Sequence, residues 1–354
     1  MVVRKDIVAV SIPFSAGVVT AALLPPGGDV PYWLAAGTCL AAAGLLAYAC
    51  GRGPRTGAVL ALFFLLGLFC YAGALAAGPA GRDRWEPGGR ALSRLLEAID
   101  GAGFPHGNTP ALLKALLAGE RGGLDPQTVA AFRTAGASHI LALSGLHLGI
   151  LYGILQGALA WTGRSRPATL LRSILSVGAA AFYLAMTGAS PSLVRAFLFI
   201  VFNELSRLLP GRRRQPLNVF CAALTVQLAA SPTVVRSLGF QLSYLAMLGI
   251  CVLFPRLEAW YPQGSRRDPV RRIWSAVALT LSCQVFTAPL VWTRFRSFPK
   301  FFLLTNLVAL PLTEGFVVCS LPALLPGCPD GIKNLADALG QALVSFLQAV
   351  AATG

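Results

Sequence analysis

Apolar runs separated by short polar turns recur along almost the whole chain. A helix that crosses a bilayer needs ~20 predominantly apolar residues. Runs near that length cover Ile7–Leu24, Pro31–Cys50, Gly57–Ala77, Ala137–Trp161, Ala168–Thr187, Ser192–Leu209, Pro216–Ala230, Val234–Phe254, Ile273–Trp292 and Phe301–Leu325. Asn334–Ala351 is a more polar candidate, with Asp337 and Gln341 inside it. The pattern predicts an all-α fold, a polytopic integral membrane helical bundle of about 10–11 transmembrane helices. The alternating ~10-residue segments of a membrane β-barrel are absent. Pro311 and Glu314 interrupt the run at Phe301–Leu325, which is therefore expected to be broken or re-entrant.

One long polar region, 78–136, stands between the third run and the central one. Leu92, Leu95, Leu96 and Ile99 recur at helical spacing, and so do Leu112, Leu113, Leu116 and Leu117 after Thr109–Pro110. Asp125–Pro126 opens a third piece, with Val129 and Phe132 on its apolar side. A short acceptor side chain followed by proline marks a helix start. These pieces predict amphipathic helices on the membrane surface or over the bundle. The division expected is three N-terminal spans (1–77), an extracytoplasmic segment of amphipathic helices (78–136) and a transmembrane core (137–354).

Composition agrees: 55% of the 354 residues are hydrophobic and only 12% charged, about half the charge of a soluble domain. The formal charge of +15 is in large part an orientation signal, and it also suits polyanions such as lipid headgroups or nucleic acid. With the N-terminus inside, Arg52/Arg55, Arg164/Arg166, Arg207 with Arg212–Arg214, and Arg256 with Arg266–Arg272 share the cytoplasmic side. Arg294, Arg296 and Lys300 then fall on the opposite side, together with the long segment and the Gly188–Pro191 turn. No polar domain follows the first run, so a retained span rather than a cleaved leader is expected. The eight cysteines form no CxxC or Cys/His cluster, so neither metal nor cofactor is expected. A Cys319–Cys328 bridge at a membrane face is conceivable from their spacing alone.

Polar residues inside the apolar runs are the candidates for function. The central run, ASHILALSGLHLGILYGILQGALAW, carries His139, Ser144 and His147. On a continuous helix Ser144 and His147 share a face. Three readings stand: a nucleophile–base pair, a structural pair, or a water-facing pathway. In GASPSLVRAFLF, Ser190 and Pro191 predict a helix start whose free N–H groups, with Ser192 and Arg195, suit an anion. Arg195 is placed to reach the interface or to pair in the interior with a phosphate or Glu314. In LGFQLSYLAMLGI, Gln241, Ser243 and Tyr244 enter a run whose glycines permit close helix approach.

Taken in order, ALSGLHLGIL, TGASPSLVRAFLF, SPTVVRSLGFQLSYLAMLGI and FRSFPKFFLLTNLVALPL resemble the ComEC-type competence family, over about 111–325. The resemblance implies a bacterial inner-membrane channel component through which single-stranded transforming DNA enters during natural competence. The matched positions are Ser144, Gly145 and His147; Ser190, Pro191, Ser192 and Arg195; Gly239, Phe240, Gln241 and Ser243; and Asn306 with Pro311. Relatives commonly add an outer OB-like domain and a C-terminal metallo-β-lactamase-like domain. This sequence holds three histidines in all and no HxHxDH, so no nuclease-like metal site, and no enzyme activity, is expected of it. Where relatives often place Asp before the Gly-Phe-Gln block, it has Ser237.

A DNA path needs cations and planar groups over which bases slide. Ser144, His147, Ser190, Ser192, Arg195, Gln241, Ser243 and Asn306 are the path candidates, and Arg236, Arg294, Arg296 and Lys300 the outer cations. Gly145, Pro191, Gly239, Phe240 and Pro311 are read as shaping the motifs, while Phe240, Tyr244, Phe295 and Phe298 are the nearby aromatics. None of the four lysines follows the glycine of a phosphate-binding loop, so a separate ATPase is expected. A DNA receptor, membrane lipids and further copies of the chain complete the expected partners. The competing class is a secondary transporter or lipid permease, with His147, Asn203, Glu204, Gln284 and Glu314 as a solute or proton route.

Overall fold

The computed structural model describes residues 6–24, 37, 56–77, 86–163, 165–208, 215–261, 268–296 and 299–353. Apart from Gly37, the expected span Pro31–Cys50 lies outside these residues, as do Arg52, Arg55, Arg164, Arg212–Arg214, Arg266, Arg267 and Phe298. All regular structure among the described residues is helical. The helices are α1 (Asp6–Leu23), α2 (Thr56–Ala76), α3 (Glu86–Gly101), α4 (Asn108–Ala118) and α5 (Pro126–Thr134). The central stretch holds α6 (Ser138–Leu141) and α7 (Gly145–Ala158), and α8 (Arg166–Met186) and α9 (Pro191–Leu208) follow. The C-terminal part holds α10 (Pro216–Ala230), α11 (Leu238–Val252), α12 (Phe254–Glu258), α13 (Pro269–Phe295), α14 (Phe302–Ala323) and α15 (Asp330–Thr353).

Among the described residues, six stretches are helical, long and apolar enough to cross a membrane: Val59–Ala76, Arg166–Met186, Leu238–Glu258, Pro269–Phe295, Phe302–Ala323 and Asp330–Thr353. Ile7–Leu23 and Pro216–Ala230 are shorter apolar helices. Apolar side chains point outward from them, Ile12 on α1 and Ile174 on α8 among them. Such faces need lipid around them. The fold is an all-α polytopic membrane bundle.

Three expectations change. The central run is not one helix: after α6 the chain is extended at Ala142, and Ser144 caps the separate helix α7. The run at Phe301–Leu325 is continuous, with Pro311 inside α14, as membrane helices tolerate proline. α11 begins at Leu238 rather than Val234, since Pro232–Arg236 forms a 3₁₀ turn before it. Cys319 and Cys328 are free thiols.

The described chain divides into two compact units, 1–83 with 198–244, and 84–197 with 245–354. In the first, α1 and α2 cross where two glycines meet the opposite backbone. A Cβ at Gly17 would lie 2.0 Å from the Phe64 carbonyl oxygen, and one at Gly67 would lie 2.1 Å from that of Phe14. Small residues permit such backbone approach in apolar surroundings, where packing rather than water drives helices together. α10 joins α1 through Ser11 Oγ, which donates to the Cys221 carbonyl at 3.3 Å and accepts from Thr225 Oγ1 at 2.8 Å. In the same unit buried Glu204 accepts from Arg207 at 2.8 Å, so its charge is matched locally.

In the second unit the amphipathic helices are packed over the bundle. Leu112, Leu113, Leu116, Leu117, Phe132 and Ile140 form one buried cluster with Phe316, Val317, Leu343 and Leu347 of α14 and α15. Asp125 caps α5 by accepting from the Thr128 N–H at 3.2 Å, as the Asp-Pro signal predicts. Thr109 does not cap α4. Its hydroxyl donates at 2.5 Å to Asp337, a carboxylate buried on α15 that His106 Nδ1 also meets. This joint pins the α3–α4 corner to α15.

A leucine at Gly67 is expected to lower the midpoint of thermal unfolding in detergent by more than 5 °C, while Gly73→Leu, whose Cβ meets open space, leaves it within 2 °C (both on the order expected for overpacked and open sites). Asp337→Ala leaves Thr109 and His106 without their acceptor and is expected to cost ~1–3 kcal/mol, read as faster amide exchange in α4 and the first half of α15.

Candidate functional site

The break before α7 is built from short-range chemistry. Ser144 has extended backbone, and its Oγ accepts from the Leu146 N–H at 3.2 Å. The Leu141 carbonyl, freed where α6 stops, accepts from Arg121 Nη2 at 2.9 Å. The Leu143 carbonyl lies 3.5 Å from Ser190 Oγ, which also accepts from the Leu193 N–H at 3.4 Å. Gly119 ends α4 with φ +74, and a Cβ there would strike Leu143 Cδ1 at 2.7 Å. Side chains from three places in the sequence thus hold one interrupted segment.

The SGLH and SPSLVR blocks meet there. A Cβ on Gly145 would come within 3.0 Å of Ala196 Cβ and 3.6 Å of Arg195 Nη2. Arg195 is half-buried and turned toward the start of α7, rather than to Glu314, which is exposed and forms no ion pair among the described residues. Pro191 opens α9, Ser192 is half-buried in its first turn, and Ser190 caps it. The turn before it carries Gly188 at φ +86 and Ala189 at φ +51. A non-glycine residue in the left-handed region stores ~1 kcal/mol or more, which the flanking packing has to hold. A guanidinium beside a helix N-terminus adds one positive potential to another, and the pair draws anions.

Ser144 and His147 are not joined in the structure. Ser144 stands outside the helix as its cap, and no hydrogen bond joins the two side chains. His147 is fully buried at the third helical position, and neither ring nitrogen has a partner among the described residues. Asn306 Oδ1 and Thr305 Oγ1, on α14, are buried in the same condition. Buried polar atoms of this kind are ordinarily met by water. The nucleophile–base reading therefore has no geometric support.

The third block belongs to the first unit. Ser237 accepts from the Phe240 N–H at 3.2 Å and so caps α11. Serine serves as well as aspartate in such a cap. Gln241 Nε2 donates to the Val235 carbonyl at 2.8 Å, and Ser243 is half-buried further along the same helix. Phe240 and Tyr244 are core, not a stacking surface. Their ring centroids are 4.6 Å apart, and the Tyr244 hydroxyl donates to Gln227 Oε1 at 2.8 Å. Gly239 faces open space, while Gly249, in the second unit, makes the close approach, with a Cβ position 2.1 Å from the Ser282 carbonyl oxygen. Arg236 donates to the Ala22 carbonyl at 2.8 Å and lies 5.6 Å above the Tyr71 ring, closing the end of α1.

Among the outer cations, Arg294, Arg296 and Lys300 are exposed at the end of α13 and just beyond it. Lys300 is set near the start of the central stretch, because the adjoining Pro299 packs against Gly136. Arg121 and Gly119 escaped sequence reasoning. The glycine of AGERGG after an apolar helix is a stop signal, but nothing local shows that the arginine reaches Leu141.

Ser144→Ala is expected to remove ~1 kcal/mol from the start of α7, with Ser144→Asp close to wild type. Amide exchange over 145–149 is the measurement, and equal rates in the alanine variant would dismiss the cap.

Residues 116–353 match the family described as competence protein. ComE operon protein 3 of Bacillus subtilis is 26% identical over 219 residues, 61% of this chain and 26% of that protein. Competence protein ComA of Neisseria gonorrhoeae is 29% identical over 211 residues, 56% of this chain and 28% of its own length. Recombination protein 2 of Haemophilus influenzae is 27% identical over 218 residues, 58% and 27% respectively. The chain thus spans about a quarter of the length of these relatives at the matched region. No solved structure matches. With its matched segment running from α4 to the end of α15, this chain belongs to the ComEC-type competence protein family.

Proposed function

We infer that this chain forms part of a conduit for single-stranded DNA across the bacterial cytoplasmic membrane in natural transformation. One observation carries the reading: the family's SGLH and SPSLVR blocks converge on an interrupted helix start with Arg195 beside it. A helix N-terminus and a guanidinium offer phosphate a charged, directional contact. The contact has to stay weak and repeated, since a strand that binds too tightly at one place does not advance. The N-terminus is assigned to the cytoplasm by the charge of the short loops. Energy for transport is assigned to a separate ATPase, and capture of the incoming duplex to a separate receptor.

A second reading has its own support. Buried His147, Thr305 and Asn306, unmatched by described protein groups, suit a water-lined solute or proton route in a secondary transporter. The two readings part on nucleic acid.

Uptake of labelled DNA by a deletion strain restored with the wild-type gene, Arg195→Lys or Arg195→Ala is the test. The alanine variant is expected to reduce uptake at least ~10-fold at unchanged membrane protein level, with lysine intermediate because it keeps charge but not the planar fork. Uptake equal to wild type in the alanine variant removes Arg195 from the path.

A further inference from the structure

The contact of Pro299 with Gly136 gathers charges that are far apart in the sequence. Gly136 donates its N–H to the Arg133 carbonyl at 3.1 Å, and a Cβ on Gly136 would fall 2.6 Å from Pro299. The backbone of Arg133, in the last turn of α5, therefore lies near Pro299 and the adjoining Lys300, while Arg296 ends α13 three residues before that proline in the sequence. Arg133, Arg294, Arg296 and Lys300 are all exposed, and none forms an ion pair among the described residues. On the last turns of α13, Trp292 and Phe295 stand three apart, on one face, 52% and 53% exposed.

Cations at the end of α13 complement its dipole, and an aromatic there suits a membrane interface. Neither accounts for Arg133, which sits on a helix whose other face is buried in the α14–α15 cluster and which is not a span. Four exposed cations on two segments that meet at Gly136 and Pro299, without an ion pair among the described residues, and two exposed rings beside those of α13, match a polyanion that also offers flat faces. Single-stranded nucleic acid has both properties: its phosphates attract the cations, and its unpaired bases stack on the rings. A duplex hides its bases and would use only the charges.

We propose that Arg133, Arg294, Arg296 and Lys300, with Trp292 and Phe295, form a docking rim for single-stranded nucleic acid at this end of the second unit. The ligand class rests on the conduit reading. The rim itself is a separate surface, distinct from the α7 start and Arg195, and it holds the strand before it reaches them.

The full chain in nanodiscs of zwitterionic lipid, titrated into a labelled 15-nucleotide oligo-dT, tests it by fluorescence anisotropy. A variant with Arg133→Gln, Arg294→Gln, Arg296→Gln and Lys300→Gln is expected to bind at least ~10-fold more weakly. Its salt dependence is expected to flatten by ~0.7 in log–log slope for each cation that contacted a phosphate. Trp292→Leu with Phe295→Leu is expected to weaken binding ~10-fold while leaving the salt slope unchanged, the signature of lost stacking. Wild-type affinity in both variants, or no binding by the wild type, overturns the rim. So does a defect confined to incorporation into nanodiscs with anionic lipid, which would identify a headgroup anchor instead. Uptake in cells with Arg195→Ala reports the conduit independently, so loss of either reading leaves the other visible.

Discussion

A chain that leaves the helix among packed apolar side chains frees backbone groups that those side chains cannot satisfy, and the contacts around the start of α7 answer that requirement. The Leu141 carbonyl goes to Arg121, the Leu143 carbonyl lies beside Ser190, and Ser144 takes the Leu146 N–H. Two of these partners also stand at helix ends of their own. Ser190 caps α9, and Arg121 lies two residues beyond Gly119, the left-handed end of α4. The interruption is thus tied to two other helix ends. Moving one of them would strand polar groups at the others, at ~1–3 kcal/mol apiece. The same ties bring Arg195 to the start of α7, so the break and the candidate site are one construction.

Close backbone approach is the second organising constraint. Without water to drive apolar faces together, helices in lipid gain from tight packing, and glycine allows it. The Gly17–Gly67 crossing in the first unit and the Gly249 approach to Ser282 in the second are of this kind. The amphipathic segment follows a different rule. Its leucines are buried in a cluster that would suit a soluble protein, while Asp337, Thr109 and His106 form a polar joint at its edge.

Local signals hold wherever the physics is local. Asp125-Pro126 and Ser190-Pro191 start helices because an acceptor side chain followed by proline satisfies the first N–H groups within the same turn. The apolar runs are helices because backbone polar groups in lipid must be paired internally. Sequence reasoning fails where a distant partner decides. ASHILALSGLH reads as an unbroken helix until Arg121 and Ser190 are seen to take its carbonyls. Pro311 reads as a break, yet α14 runs through it from Phe302 to Ala323. Thr109 reads as a cap, yet its hydroxyl finds a carboxylate 228 residues away.

The amino-acid sequence by itself determined the class of the protein, its helical periodicity, the order of its motif blocks and the kinship those blocks carry. Composition and spacing are sums over neighbours along the chain, and they survive any arrangement in space. Only the tertiary structure decided which polar groups are used up in holding the backbone, as with Arg236 on the Ala22 carbonyl and Gln241 on that of Val235. It also decided which distant segments meet, as Gly136 after α5 does with Pro299 beside Lys300. Pairing and desolvation depend on distances between residues that the chain keeps far apart, and no periodicity along it encodes them.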